Sequence, residues 1–316
     1  MVTTTNVVEI ITIVVSIISM LFSLSVVVIL LLHYKTLVSG KLLIHNVLII
    51  AICDTLVSFS YALGFHTQSH ICALQGFISL NSERASWFWT DCLIMNIYGI
   101  VVHQKYIIKS KAVLHIIVWT ITIVLAFIPY ANGLTYGTAA TIGTTRCGYG
   151  ISESSSINAY DNWYLFQEIC CFSSLILIMI ITIRIYIFTY YPSQDSLPSH
   201  NIGFFKTLLL YPIAMFICWF PSQFFFTLNK TSTETTQAVT IGNILHILAP
   251  LYGLFLSLIF YTKTDKARVE WINIFTRLRL IGQPNEVELR ESSYTVSSDM
   301  PVCDVVENTL VVRILE

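Results

Sequence analysis

The stretch CALQGFISLNSERASWFWTDCLIMNIYGIVVHQKY, from Cys72 to Tyr106, decides the fold. Apolar runs lie on both sides of it and its flanks are short, so it has to cross a membrane as a helix. Yet it carries Asn81, Glu83, Arg84 and Asp91 between its two ends. Ionisable side chains at bilayer depth cost from about 3 kcal/mol each upward, and they normally face a protein interior or a wet cavity. A helix this polar is expected to be the centre post of a bundle. The cysteine at its start and the basic end (His103, Gln104, Lys105, Tyr106) point to a pinned outer end and an inner end in the cytoplasm.

Composition agrees with a membrane protein. Of 316 residues, 55% are hydrophobic and only 11% charged, against roughly 25% charged in a soluble domain. The net charge of −1 gives no global basic surface that would argue for nucleic acid. The eight cysteines lie mostly inside apolar runs and show no CxxC metal spacing. Met1 to about Asn6 lacks a basic region, and the apolar run after it is too long for a cleaved signal, so it reads as a signal anchor.

A spanning helix needs about 20 apolar residues. Seven runs qualify, at Val7–Leu32, Leu42–Phe65, Cys72–Val102, Val113–Leu134, Trp163–Tyr190, Phe204–Leu228 and Ala238–Tyr261. Backbone in lipid must satisfy its own hydrogen bonds, so these are predicted helices. Loop charge then sets orientation. Lys35 and Lys41 border the first loop, Lys105, Lys109 and Lys111 the third, and Lys206 the fifth, while Lys263, Lys266, Arg268, Arg277 and Arg279 follow the last run. Opposite them stand only Arg146 and Lys230. The N-terminus is expected outside and the C-terminus inside, with residues 1–6 extracellular and 7–262 a seven-helix transmembrane domain.

Other features fit that orientation. The sequon Asn229-Lys230-Thr231 falls in the sixth loop, on the predicted outer side; it is either glycosylated or a chance match close to the membrane. Cys147 sits in the long Gly, Thr and Ser-rich fourth loop, about Tyr136–Asn162, on the same side as Cys72. A disulfide would persist there and drape the loop across the bundle mouth; two free thiols are the alternative. Residues 263–280 place Ala267, Trp271, Ile274, Phe275 and Leu278 at helical spacing among basic residues, which predicts an amphipathic helix in the inner interface. Residues 281–316 are polar and acidic and predicted disordered, with Ser292, Ser293, Ser297 and Ser298 as candidate phosphorylation sites.

Short motifs recur in order. The second run holds Leu48-Ile49-Ile50-Ala51-Ile52-Cys53-Asp54, and the fourth holds Trp119 and, ten residues on, Pro129. The sixth holds Tyr211-Pro212 and Cys218-Trp219-Phe220-Pro221, and the seventh Leu251-Tyr252-Gly253 followed by Ser257, Leu258 and Tyr261. With Trp89-Thr90 in the third, these resemble a G-protein-coupled receptor over about Leu21–Trp271, most closely the slime-mould cyclic-AMP receptor family near the secretin and adhesion class. No D-R-Y closes the third run and no N-P-x-x-Y lies in the seventh, which departs from the rhodopsin-like class. The short N-terminus departs from the secretin type and favours a small-molecule ligand that enters the bundle itself.

Physical roles can be attached to these residues. Pro221 removes an intrahelical hydrogen bond, so the sixth helix is expected to kink beside Trp219, either as a pivot for its inner end near Lys206 or as a static packing bend. Pro212 is a second expected weak point. Asp54 is either a packing hydrogen-bond acceptor or part of a switch. Asn81, Arg84, Phe88, Asp91, Met95 and Tyr98 share one helical face, expected to point into the bundle. Arg84, about 18 Å below Cys72 at 1.5 Å per residue, is a candidate pocket floor or one half of an internal salt bridge. Asn81, Glu83, Trp87, Trp219, Gln223 and His246 complete the candidate ligand set.

The resemblance implies a receptor in the cell membrane, with the lipid bilayer, an extracellular ligand and a heterotrimeric G protein as partners. Lys105, Lys109, Lys111 and Lys206 would frame the cytoplasmic coupling surface. A transporter or channel is the alternative, although neither internal repeats nor matched broken helices are visible. A retinal protein needs a lysine in the last helix, and Ala238–Tyr261 has none. With no HExxH and no convergent nucleophile or metal cluster, neither enzyme chemistry nor a cofactor or metal is expected.

Overall fold

In lipid a helix is the one open-ended element that satisfies its own backbone, and hydroxyls can fold back onto it. Helices account for most of the computed structural model, which describes residues 2–35, 41–64, 69–131, 134–139, 146–151, 157–190, 208–229, 241, 244–245, 247–263 and 269. They are α1 (Val2–Leu32), α2 (Leu42–Ala62), α3 (Ser69–His103), α4 (Lys111–Ala131), α5 (Ile157–Tyr190), α6 (Leu210–Asn229) and α7 (Leu248–Lys263). Ser16, Ser23, Thr55, Thr90, Thr122 and Ser257 each donate to the carbonyl four residues back. These hydroxyls are thereby satisfied without water.

Five described helices contain stretches long and apolar enough to cross a bilayer, from Val7–Leu32 through Ile169–Phe188, and the apolar stretches of α6 and α7 are shorter. The outward faces are apolar too: Ile10, Leu21, Ile116, Phe127 and Ile180 are more than half exposed. Contiguous apolar surface on that scale would aggregate in water. This is a membrane protein.

α3 is the post. It packs against α2, α4, α5 and α6; α1 joins α2 to α7, α5 packs on α6, and α6 on α7. Asn46, Ser86, Thr90 and Asn96 are buried with the apolar core of Trp89, Leu93, Ile97 and Leu256. The post turns differently from the sequence expectation. Phe88, Asp91, Met95 and Tyr98 are only half-buried, whereas Ser82, Ser86, Trp89, Leu93 and Ile97 are buried. Of the expected stripe only Arg84 is buried; Asp91 lies on the flank of α3, where it accepts a 2.7 Å hydrogen bond from Ser174 of α5. A helix that is polar on more than one side gives periodicity no single face to choose.

Both ends of α3 are tied. At one end, Gln75 Nε2 donates to the carbonyls of Ser60 and Gly64, each at 2.8 Å, and Ser60 returns a bond to the Gln75 carbonyl. This caps the end of α2, where Gly64 takes a left-handed φ of 67°. At the other end, the chain turns through Gln104, φ 54°, so that Lys105 N donates to Gly99 O and Ile108 N to Asn96 Oδ1. The segment after α3 thus folds back over Gly99, where a β-carbon would lie 2.6 Å from Lys105 O and 2.7 Å from Ile107 Cγ1.

The fourth loop holds an antiparallel hairpin, β1 (Leu134–Ala139) with β2 (Arg146–Ile151), in the register Leu134 to Ile151 and Thr138 to Cys147. It lies against α3, and Cys72 and Cys147 are disulfide-bonded with Cα atoms 4.9 Å apart. The Gly and Thr content of the loop gave no alternation from which strands could be read.

Several expectations shift. α1 begins at Val2, so residues 2–6 are helical. α5 begins at Ile157, inside the stretch read as loop, and α7 only at Leu248. Asn229 is the last residue of α6. Pro212 falls in the first turn of α6, directly after the helical run breaks at Leu209. Apart from Lys263 and Val269, the predicted amphipathic helix lies outside the described residues, as do Lys206, the tail and its serines.

Two outcomes follow. Gly99→Ala, which must displace a backbone carbonyl, should cost about 2 kcal/mol, seen as a lower melting temperature in detergent. Cys72→Ser or Cys147→Ser should cost up to about 4 kcal/mol in the chain-entropy account for a loop closed over 75 residues, and in the wild type either thiol should label only after reduction.

Candidate functional site

Trp87 of α3 and Trp219 of α6 are each 2% exposed and meet edge to face, with ring centroids 5.3 Å apart. An indole N–H can only donate, and buried donors are normally paired. Neither Nε1 has an acceptor among the described residues. Two donors thus stand side by side at a junction of α3 and α6, able to receive an acceptor-bearing molecule or water.

This junction adjoins Pro221 of α6. Pro221, two residues beyond Trp219, lies inside α6 and has no N–H to give to the turn before it. Ser222 donates to the Trp219 carbonyl at 3.0 Å, which occupies one acceptor in the interrupted ladder. On the other side of α6, Phe216, Phe220 and Phe224 stack successively at 4.4 and 5.4 Å, and Phe172 of α5 stacks on Phe220 at 5.6 Å. The stretch around Pro221 is therefore held between an indole contact to α3 and an aromatic ladder to α5.

Arg84, 4% exposed, lies one turn from Trp87. Both border a cleft whose other walls are Phe88 of α3, Leu125 of α4, and Phe166 and Ser174 of α5. α4 and α5 each pack on α3 more than on one another, so the cleft lies in the gap between them. Its lining is aromatic and aliphatic with few polar groups, and its free space of about 20 Å³ is room for a water. Asn81 is half-buried and donates to Phe77 O of its own helix at 2.7 Å, while Glu83 is half-buried on α3.

A second cluster joins four helices. Asp54 of α2, 5% exposed, accepts a 2.8 Å hydrogen bond from Ser86 Oγ of α3. Ser58 donates to Ser19 of α1 at 3.3 Å, and Thr90 meets Tyr252 of α7 at 3.4 Å. Gly253 lets α7 approach closely: a β-carbon there would lie 2.8 Å from Ser19 Oγ and 3.5 Å from Asp54 Cβ. At another level Ser25 of α1 and Tyr261 of α7 share a 2.6 Å hydrogen bond. Asp54 Oδ2 has no donor among the described residues, so one oxygen of the carboxyl group stays open to a proton, a water or a neighbour.

Of the residues singled out from sequence, Arg84, Trp87 and Trp219 come together, and Asp54 forms a separate cluster. Gln223 lies on α6, but its side chain, like all of His246, is outside the described residues. Lys105 and Lys109 are exposed and Lys111 half-buried at the turn between α3 and α4. Sequence reading named Trp89 and Trp119 only as motif residues and missed His45 and His115; the four form a contiguous group on α2, α3 and α4. Only the four-residue spacing of His115 and Trp119 was visible beforehand, and nothing local links either to position 45. No protein-family model matches the sequence, and no curated protein matches it significantly.

Because Ser86 needs only an acceptor, Asp54→Asn should be at least as stable as the wild type. Asp54→Ala strands the buried Ser86 hydroxyl and should cost about 1–3 kcal/mol. Thermal unfolding of the two variants side by side checks the order.

Proposed function

We propose that this chain is a G-protein-coupled receptor that carries an extracellular signal, a small molecule bound within the helices, to a heterotrimeric G protein. In this reading it sits in the cell membrane as a bundle of seven transmembrane helices, with its N-terminus outside and its C-terminus in the cytoplasm. The observation that carries it is the Trp87–Trp219 contact beside Pro221. A ligand accepting from either indole, or lodging in the neighbouring Arg84 cleft, changes what α6 packs against at the point where that helix is weakest. A ligand shifts a conformational equilibrium only through differential contact with two states, and this junction offers such contact.

Further support comes from the charges. Exposed Lys105 and Lys109 lie at the same end of α3 as the lysines of the first loop, on the lysine-rich side that the positive-inside rule assigns to the cytoplasm. The turn there is fixed by Asn96 and Gly99, so the lysines are presented from a defined backbone. The pattern of short motifs set out above resembles the slime-mould cyclic-AMP receptors; the ligand is a separate matter, since a shared fold leaves it open.

The test is nucleotide exchange on G proteins in membranes against a panel of cyclic nucleotides and small metabolites. An active ligand should lose about tenfold in potency, roughly 1.4 kcal/mol, on Trp87→Phe, which removes one donor and keeps the ring contact. Arg84→Ala should weaken an anionic ligand more than a neutral one. No exchange with any ligand, together with solute flux in liposomes, would replace the receptor by a transporter or channel.

A further inference from the structure

His45 of α2 and His115 of α4 face one another across the corner of α3, with Nε2 to Nε2 2.9 Å. His45 is 8% exposed and His115 half-buried. Trp89 of α3 packs edge to face on both rings, with centroids 6.3 Å from His45 and 4.8 Å from His115. On the far side, Trp119 Nε1 lies 3.2 Å from His115 Nδ1.

The donor inventory fixes every proton in this chain. The Trp119 indole can only donate, so His115 Nδ1 must be an acceptor. A neutral His115 then carries its proton on Nε2 and gives it to His45 Nε2. Neutral His45 in turn carries its proton on Nδ1, a buried atom with no partner among the described residues. The bonds run one way, from Trp119 to His115 to His45, and both rings must be neutral for both to exist. A proton added to His115 Nδ1 displaces the Trp119 N–H. A proton added to His45 Nε2 opposes the His115 N–H, and reversing that bond puts the His115 proton back on Nδ1, against Trp119.

We infer that this chain is an acid-sensitive latch between α2 and α4, in which one added proton breaks one of two hydrogen bonds. The other charged group acting on His45 is Lys111, at the start of α4; α3 presents the Trp89 ring there and α2 the His45 imidazole itself. A transition metal bridging the two Nε2 atoms fits less well, because each ring would then carry its proton on Nδ1 and His115 would again oppose Trp119. α4 is the helix with most to gain from such a tie. Its principal helix contact is α3, and much of its surface, including Ile116 and Phe127 at 66% and 63% exposure, faces outward. The latch stands independently of the receptor reading.

Histidine-selective nitrogen NMR on the full chain in a bilayer, assigned with His45→Phe and His115→Phe, reads the protons directly. At about pH 8 both rings should be neutral and in opposite tautomers, His115 protonated on Nε2 and His45 on Nδ1. On acidification to about pH 4, well below the ordinary imidazole value near 6.5, a ring should gain a proton together with a change in the Trp119 indole resonance or in the bond between the rings. His115→Gln, whose amide both accepts and donates at any pH, should retain the link: over the same interval the wild type should lose about 2 °C or more in melting temperature relative to it. Matching tautomers, an imidazolium at about pH 8, or an imidazolium that leaves both bonds intact would overturn the latch. So would parallel melting curves for a folded His115→Gln. Should that variant not fold, the wild-type spectra decide alone.

Discussion

Ser86 donates its hydroxyl proton to Asp54 where both side chains are all but closed to solvent. In an apolar surround a carboxyl group must find a donor or be neutral, and a hydroxyl must find an acceptor. Each group is tolerable because the other is opposite. That mutual requirement fixes the rotation of α2 against α3, and the positions of the others follow. With Asp54 set, Gly253 brings α7 within reach of Ser19, and Thr90, one turn from Ser86, meets Tyr252. Lipid supplies little hydrophobic drive between helices, so close backbone approach and interhelical hydrogen bonds carry more of the specificity than they would in water.

The same constraint explains what could be read beforehand. A polar, ionisable stretch flanked by apolar runs has no stable place except behind other helices, so α3 as the central post was legible from Asn81, Glu83, Arg84 and Asp91 alone. The pairing of Cys72 with Cys147 was open between bridge and free thiols, and the fold brings the two together. The place of Pro221 inside the sixth helix, two residues past Trp219, was legible because the apolar run continues on both sides of it.

What was not legible depends on partners far away in the chain. The buried face of α3 could not be chosen, because Arg84 and Asp91 suggest one stripe while Ser82, Ser86 and Ser79 mark another; only the opposing Asp54 and Ser174 separate them. The hairpin escaped notice because Gly137, Gly148 and Gly150 dilute the strand signal, and its register is held by pairing with its own other half and by the bridge to α3. His45 and His115 are 70 positions apart. A histidine in an apolar run announces a need for a partner and leaves unsaid which one.

The two polar junctions of α3 differ in how far they are satisfied, and that difference bears on the proposed receptor. Around Asp54 the hydroxyls of Ser86, Ser58 and Thr90 each have neighbours, and small residues bring the backbones together; such a network rigidifies what it joins. At Trp87 and Trp219 the opposite holds: two large rings meet, the donors lack acceptors among the described residues, and a proline interrupts the helix that one of them rides on. A buried donor without a partner is a standing free-energy deficit that an incoming acceptor removes. Placing that deficit beside a proline inside the helix, with the firm junction on an adjoining face of the post, lets α6 respond to a ligand while α1, α2 and α7 hold still.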